Sequence, residues 1–98
     1  MSDKRDAWIE KMKARIDEAN AEIDKLEAKG RRAEADAKMR YHERLEDLRE
    51  QRERAKERLE ELRESGSEAW DEIRKGAEEA WESLTRSMQR ARDRFGDD

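Results

Sequence analysis

The stretch that decides the fold is Ala7-Trp8-Ile9-Glu10-Lys11-Met12-Lys13-Ala14-Arg15-Ile16-Asp17-Glu18-Ala19-Asn20-Ala21-Glu22-Ile23-Asp24-Lys25-Leu26-Glu27. Ile9, Ile16 and Ile23 recur seven residues apart, and Met12, Ala19 and Leu26 follow each of them by three. Alternating steps of three and four place both sets on one stripe of a helix, the pattern of a left-handed coiled-coil seam. Gly30, Ala33 and Ala37 carry the repeat onward, so the heptad segment spans residues 7–37.

Beyond it the stripe continues through Tyr41, Leu45, Leu48, Arg52, Ala55, Leu59 and Leu62. The step from Ala37 to Tyr41 to Leu45 is a stutter that locally unwinds the supercoil. Gly30 stands on the stripe with no capping residue beside it, so it reads as a close-packing point inside one helix running from about 3 to 64. The first strong punctuation is Ser65-Gly66-Ser67. Gly66 suits the left-handed conformation that ends a helix, and Ser65 with Glu68 matches a capping box for the next one. A second helix then covers about 68–95. Its repeat is longer: Ala69-Trp70 and Ile73 recur eleven residues on as Ala80-Trp81 and Leu84, with Phe95 eleven beyond that.

Folding the chain about Gly66 sets Leu62 by Trp70, Leu59 by Ile73, Ala55 by Ala77, Leu48 by Leu84 and Leu45 by Met88. It also sets Arg52 where its guanidinium can stack on Trp81. The expectation is an all-α protein, a single helical coiled-coil domain over 1–98, with a hairpin over 37–95 and its turn at 65–67. The Ile, Met and Leu seam of the first 36 residues then lacks a cover. A second copy of the chain supplies one, so a homo-oligomer is expected, a dimer first. The alternative is a three-helix bundle turning at Gly30 and Gly66. It ranks second because a middle helix should be apolar on two faces, and the residues flanking this seam are almost all charged.

Charged residues make up 53% of the chain and hydrophobic ones 33%, too polar for a broad core and suited to helices that bury a thin stripe. There is no Pro to interrupt them. Zero Cys removes disulfides and thiolate chemistry. The N-terminal residues contain no apolar run of signal-peptide type, and no stretch approaches the ~20 apolar residues that cross a bilayer. A cytoplasmic location is expected. Acids and bases are interspersed to a net charge of −4, and the densest basic run, Arg49 to Arg58, is interrupted by Glu50, Glu53 and Glu57. Nucleic acid is therefore not an expected partner.

Catalytic chemistry finds little footing. His42 is the single histidine, with Met39 three residues before it and Glu46 four after, so it lacks the companions of a metal site. Carboxylates are abundant, but a catalytic pair needs a cleft that separates its pKa values. No serine has a neighbouring histidine, and no Gly-rich phosphate loop exists. Neither enzymatic activity nor a cofactor is expected. The stripe of Trp70, Ile73, Ala77, Trp81, Leu84, Met88, Ala91 and Phe95 reads first as a hairpin core seam. Its tryptophans also suit a membrane interface, where an amphipathic helix lies flat. Alanines at 7, 14, 21, 28 and 35 form an outward stripe of good helix formers.

The chain resembles the small bacterial coiled-coil proteins of the cyanobacterial-type stress-response family, which are likened to apolipoprotein repeats. The resemblance lies in Ala21-Glu22-Ile23-Asp24-Lys25-Leu26-Glu27-Ala28, Ala33-Glu34-Ala35-Asp36-Ala37-Lys38, Leu59-Glu60-Glu61-Leu62-Arg63-Glu64-Ser65, and Glu68-Ala69-Trp70-Asp71-Glu72-Ile73 with Ala80-Trp81. It implies a cytoplasmic, stress-linked protein and supplies no catalytic residues.

The functional expectation is a structural or interaction protein that self-associates. Its seam is Ile9, Met12, Ile16, Ile23, Leu26, Leu45, Leu48, Leu59 and Leu62. A membrane surface, met through the Trp-bearing helix, is the alternative partner.

Overall fold

A computed structural model of the protein describes residues 2–95. Three helices pack against one another: α1 (Ser2–Arg32), α2 (Ala35–Glu64) and α3 (Trp70–Phe95), the last preceded by one 3₁₀ turn (Ser67–Ala69). They form a rod of 51 × 18 × 18 Å. Thirty residues of α-helix measure about 45 Å, so α1 and α2 run nearly the full length of the rod, and the 26 residues of α3, about 39 Å, cover most of it.

The helix expected to run unbroken over 3–64 is interrupted at Ala33 and Glu34. Gly30 stays helical, and the chain turns three residues later. Glycine matters here for closeness: a Cβ built on Gly30 would stand 3.3 Å from the Tyr41 Cβ. The absence of a side chain lets α2 fold back against the last turn of α1. Carbonyls of the last turn of α1 anchor the corner. The Ala33 amide donates to the Gly30 carbonyl at 3.2 Å, and the Lys38 ammonium donates to the Arg31 carbonyl at 3.0 Å. Glu34 is the N-cap of α2 with φ −72° and ψ 165°, and its side chain caps nothing. None of these residues carries a turn signal, and the register of the stripe passes through them unchanged. Burial of the α1 seam opposes the local preference for a continuous helix, and burial prevails.

The second turn lies where the sequence places it, but it works differently. Gly66 is extended, with φ −91° and ψ 172°, not left-handed. Ser65 does not open a capping box. Its hydroxyl donates back to the Leu62 carbonyl at 2.9 Å and closes the end of α2. Arg5, from the first turns of α1, donates to the Ser65 carbonyl at 3.0 Å and ties this end of the rod together.

The expected α2–α3 pairing holds to within about two residues. Arg58 lies across the backbone at Gly76, and Asp47 meets Ser87. The core is a single cluster in which Met12, Leu26, Leu48, Leu62, Leu84 and Met88 are almost wholly shielded from solvent. The objection that α2 lacks two apolar faces is met by its charged residues. Arg49 and Arg52 reach to Glu27 and Asn20 on α1, while Asp47 turns to Ser87 and Arg90 on α3. Arginine stems supply apolar cover on the way to their polar heads, which widens a stripe that looks narrow in a residue count.

Candidate interaction seam

Every seam residue singled out from the sequence faces the interior. Met12, Ile16, Ile23, Leu26, Leu45, Leu48, Leu59 and Leu62 are buried, and Ile9 is half-buried against them. The α1 part of this seam, which the sequence reading leaves open for a second copy, is covered here by α2 and α3 of the same chain. From the α3 stripe, Ala77, Leu84, Met88 and Ala91 are buried, while Trp70, Ile73 and Trp81 are half-buried at the edge of the cluster. Phe95 closes α3, and its side chain lies outside the described residues. Ser65 is buried, whereas Gly66 and Ser67 are exposed. The alanine stripe faces solvent at positions 7, 14, 21 and 35, with Ala28 half-buried.

Trp81 has a different neighbour from the one expected. Arg52 is engaged with Asn20 and Glu53. The cations over Trp81 come from α1: Lys11 Nζ lies 4.4 Å from its ring centre and Arg15 Cζ 4.5 Å. Lys11 also lies 4.6 Å from the ring centre of Trp8, so one ammonium is held between two indoles. Both Lys11 and Arg15 flank the α1 seam one turn apart. That spacing is visible in the sequence, but no α1–α3 pairing rule is available there to use it.

Three further cross-links join the helices. Arg92 donates to Glu22, whose carboxylate is buried beside the α1 seam, at 3.3 Å. Arg49 pairs with Glu27. Asp47 accepts from the buried Ser87 hydroxyl at 2.7 Å and from Arg90 at 2.9 Å through the same oxygen. Partial burial of Asp47 would raise its pKa. Hydrogen bonds from Ser87, Arg90 and Gln51 and the Arg90 charge outweigh that and hold it below its ordinary value.

This arrangement fastens helices to one another and presents little else. His42 is exposed and lies 3.5 Å from Glu46 on its own helix. Ser87 spends its proton on Asp47, not on a histidine. Among the described residues no group of three or more metal-ligating side chains converges, and no helix is long and apolar enough to cross a membrane. The recesses are open grooves with walls of both charges. One lies between α2 and α3 beside Arg54, Arg58, Gly76 and Glu79, and another lies by the corner beside Glu27, Tyr41, His42 and Arg49.

No family model, no curated protein and no solved structure matches this chain.

Proposed function

We propose that this protein is a non-enzymatic interaction protein whose binding element is its helical seam, and that its first partner is another copy of itself. The observation carrying this reading is the continuity of the seam. Ile23, Leu26, Gly30, Ala33 and Ala37 keep one heptad register across the corner between α1 and α2, and the stripe goes on through the stutter at Tyr41 to Leu45. Two helices of one chain thus carry the pattern of a single long coiled-coil helix, the element that such proteins use to associate. Sedimentation equilibrium from micromolar to millimolar chain tests it. The reading requires a species above the single-chain mass of 11.7 kDa that grows with concentration. A mass fixed at one chain throughout would refute it.

A lipid surface is the second reading, favoured by one observation. Trp8, Ile9, Trp70, Ile73 and Trp81 are half-buried, not buried, and they belong to the first halves of α1 and α3, which lie side by side. Against it, Ala77, Leu84, Met88 and Ala91 of the α3 stripe are already covered by protein, so lipid contact beyond these edges would require the bundle to open. Flotation with vesicles, with and without anionic lipid, separates the two. Lipid contact carries the protein upward with a blue-shifted tryptophan emission, whereas a purely protein-binding seam leaves it at the bottom.

A further inference from the structure

We infer that the Ala33–Glu34 corner is a hinge and that two copies of this chain associate by exchanging α1. Each copy straightens 33–34 into a helix continuous from α1 through α2. This rests on the self-association proposed above and names how it is built.

The two ends of the rod are finished differently. At the Ser65 turn, a buried hydroxyl closes α2 and Arg5 anchors the carbonyl of the same residue. At the other end the tie is an exposed one, the Lys38 ammonium on the Arg31 carbonyl, α2 has no side-chain cap, and α1 is followed by Ala33 and Glu34, residues that favour helix. Closing the corner leaves amides of the first turn of α2 and carbonyls of the last turn of α1 without the helical partners that straightening would give them. A short corner with no stop signal and an unbroken register is the kind of link through which chains swap elements.

The occupant follows from the register. Gly30 faces Tyr41, Glu27 pairs with Arg49, Asn20 with Arg52, and Arg5 with Ser65. All four pairs are centred on the residues just after the corner. Two straightened helices laid antiparallel about that centre therefore make every one of these contacts between chains, each contact twice, as a two-fold axis demands. A straightened α1 bares Met12, Ile16, Ile23 and Leu26. The groove shaped for them, with Trp81 to receive Lys11 and Arg15 and with Arg92 to receive Glu22, is the one vacated on the second copy. The monomer and the exchanged dimer then share one core and differ at the corner.

Proline separates the two states. Position 35 is the first residue of α2, where proline is well tolerated, and Glu34 already has the extended backbone that a following proline requires. In a continuous helix the same proline removes a hydrogen bond and clashes with the preceding turn. Ala35→Pro in the full chain should therefore keep the helix content and melting temperature of the monomer while weakening dimerisation by at least about 100-fold. In parallel, an Asn20→Cys chain is mixed with an Arg52→Cys chain at dimer-forming concentration and treated with a short bis-maleimide linker. Exchange joins the two different chains. A dimer that resists Ala35→Pro, or that never links position 20 of one chain to position 52 of another, overturns the exchange and leaves self-association standing. A chain that stays monomeric to millimolar concentration overturns both. Should Ala35→Pro fail to fold, the linking experiment, which contains no proline, still decides.

Discussion

Ser87 and Asp47, forty residues apart in the chain, share a hydrogen bond of 2.7 Å across the α2–α3 interface. The hydroxyl is almost wholly buried, and the carboxylate oxygen that accepts it also takes Arg90. Such a bond does two things: it pairs a polar group inside the bundle, and it fixes how far α3 slides along α2.

Its consequence for pH follows from the direction of the Asp47 shift. The pKa of Asp47 is lowered by folding, so ionised Asp47 stabilises the native state at neutral pH. That contribution is complete above the unfolded pKa and is lost as pH falls through the lower folded value. The melting temperature should decline below about pH 4, and the decline should be shallower in Asp47→Asn. Circular dichroism melts from pH 7 to pH 2 measure both slopes. Ser87→Ala should cost about 1 kcal/mol at pH 7 and less in acid.

Glycine substitutions should differ by position. The nearest atoms that a Cβ at Gly76 would meet belong to the flexible guanidinium of Arg58, which can move. Gly76→Ala should therefore gain roughly 0.5–1 kcal/mol of helix stability. At Gly66 there is open space and an extended backbone that alanine adopts readily, so Gly66→Ala should gain about 0.4–1 kcal/mol. Gly30→Ala should gain nothing and is expected to lose stability, because the Tyr41 Cβ can yield only if α2 shifts. Urea unfolding of the three variants gives the comparison.

The indole–cation stack is predicted to couple α1 to α3. Lys11→Met and Trp81→Phe should each destabilise the protein, and the double variant should lose less than their sum, by about 0.5–1 kcal/mol. A coupling near zero would show that the ammonium is merely near the ring.

Core truncation sets the scale. Leu48→Ala should cost about 2–5 kcal/mol, since Leu48 is completely shielded from solvent. Met39→Ala, at a residue 70% exposed, should stay within roughly 0.5 kcal/mol of the parent. Calorimetric melts read both.

Much of this architecture is legible in the heptads. Helical content, the turn near Ser65, the buried faces of α2 and α3 and their antiparallel pairing all follow from where Leu48, Leu62, Leu84 and Met88 recur. The corner at Ala33–Glu34 enters the sequence reading only through the second-ranked alternative with a turn at Gly30, because the forces that make it are not local. Alanine and glutamate favour helix, and the turn exists because Ile16, Ile23 and Leu26 gain cover from α2 and α3. The α1–α3 contacts are hidden for a related reason. Lys11, Arg15 and Glu22 look like solvated flanks until a third helix arrives to meet them. Gly66 shows the converse, a residue in the expected turn whose special conformational freedom the turn does not use.

Three antiparallel-joined helices place residue 2 and residue 95 toward opposite ends of a 51 Å rod. A load applied between those ends would run parallel to the helix axes. It would strain the whole interface in shear at once instead of peeling one turn after another.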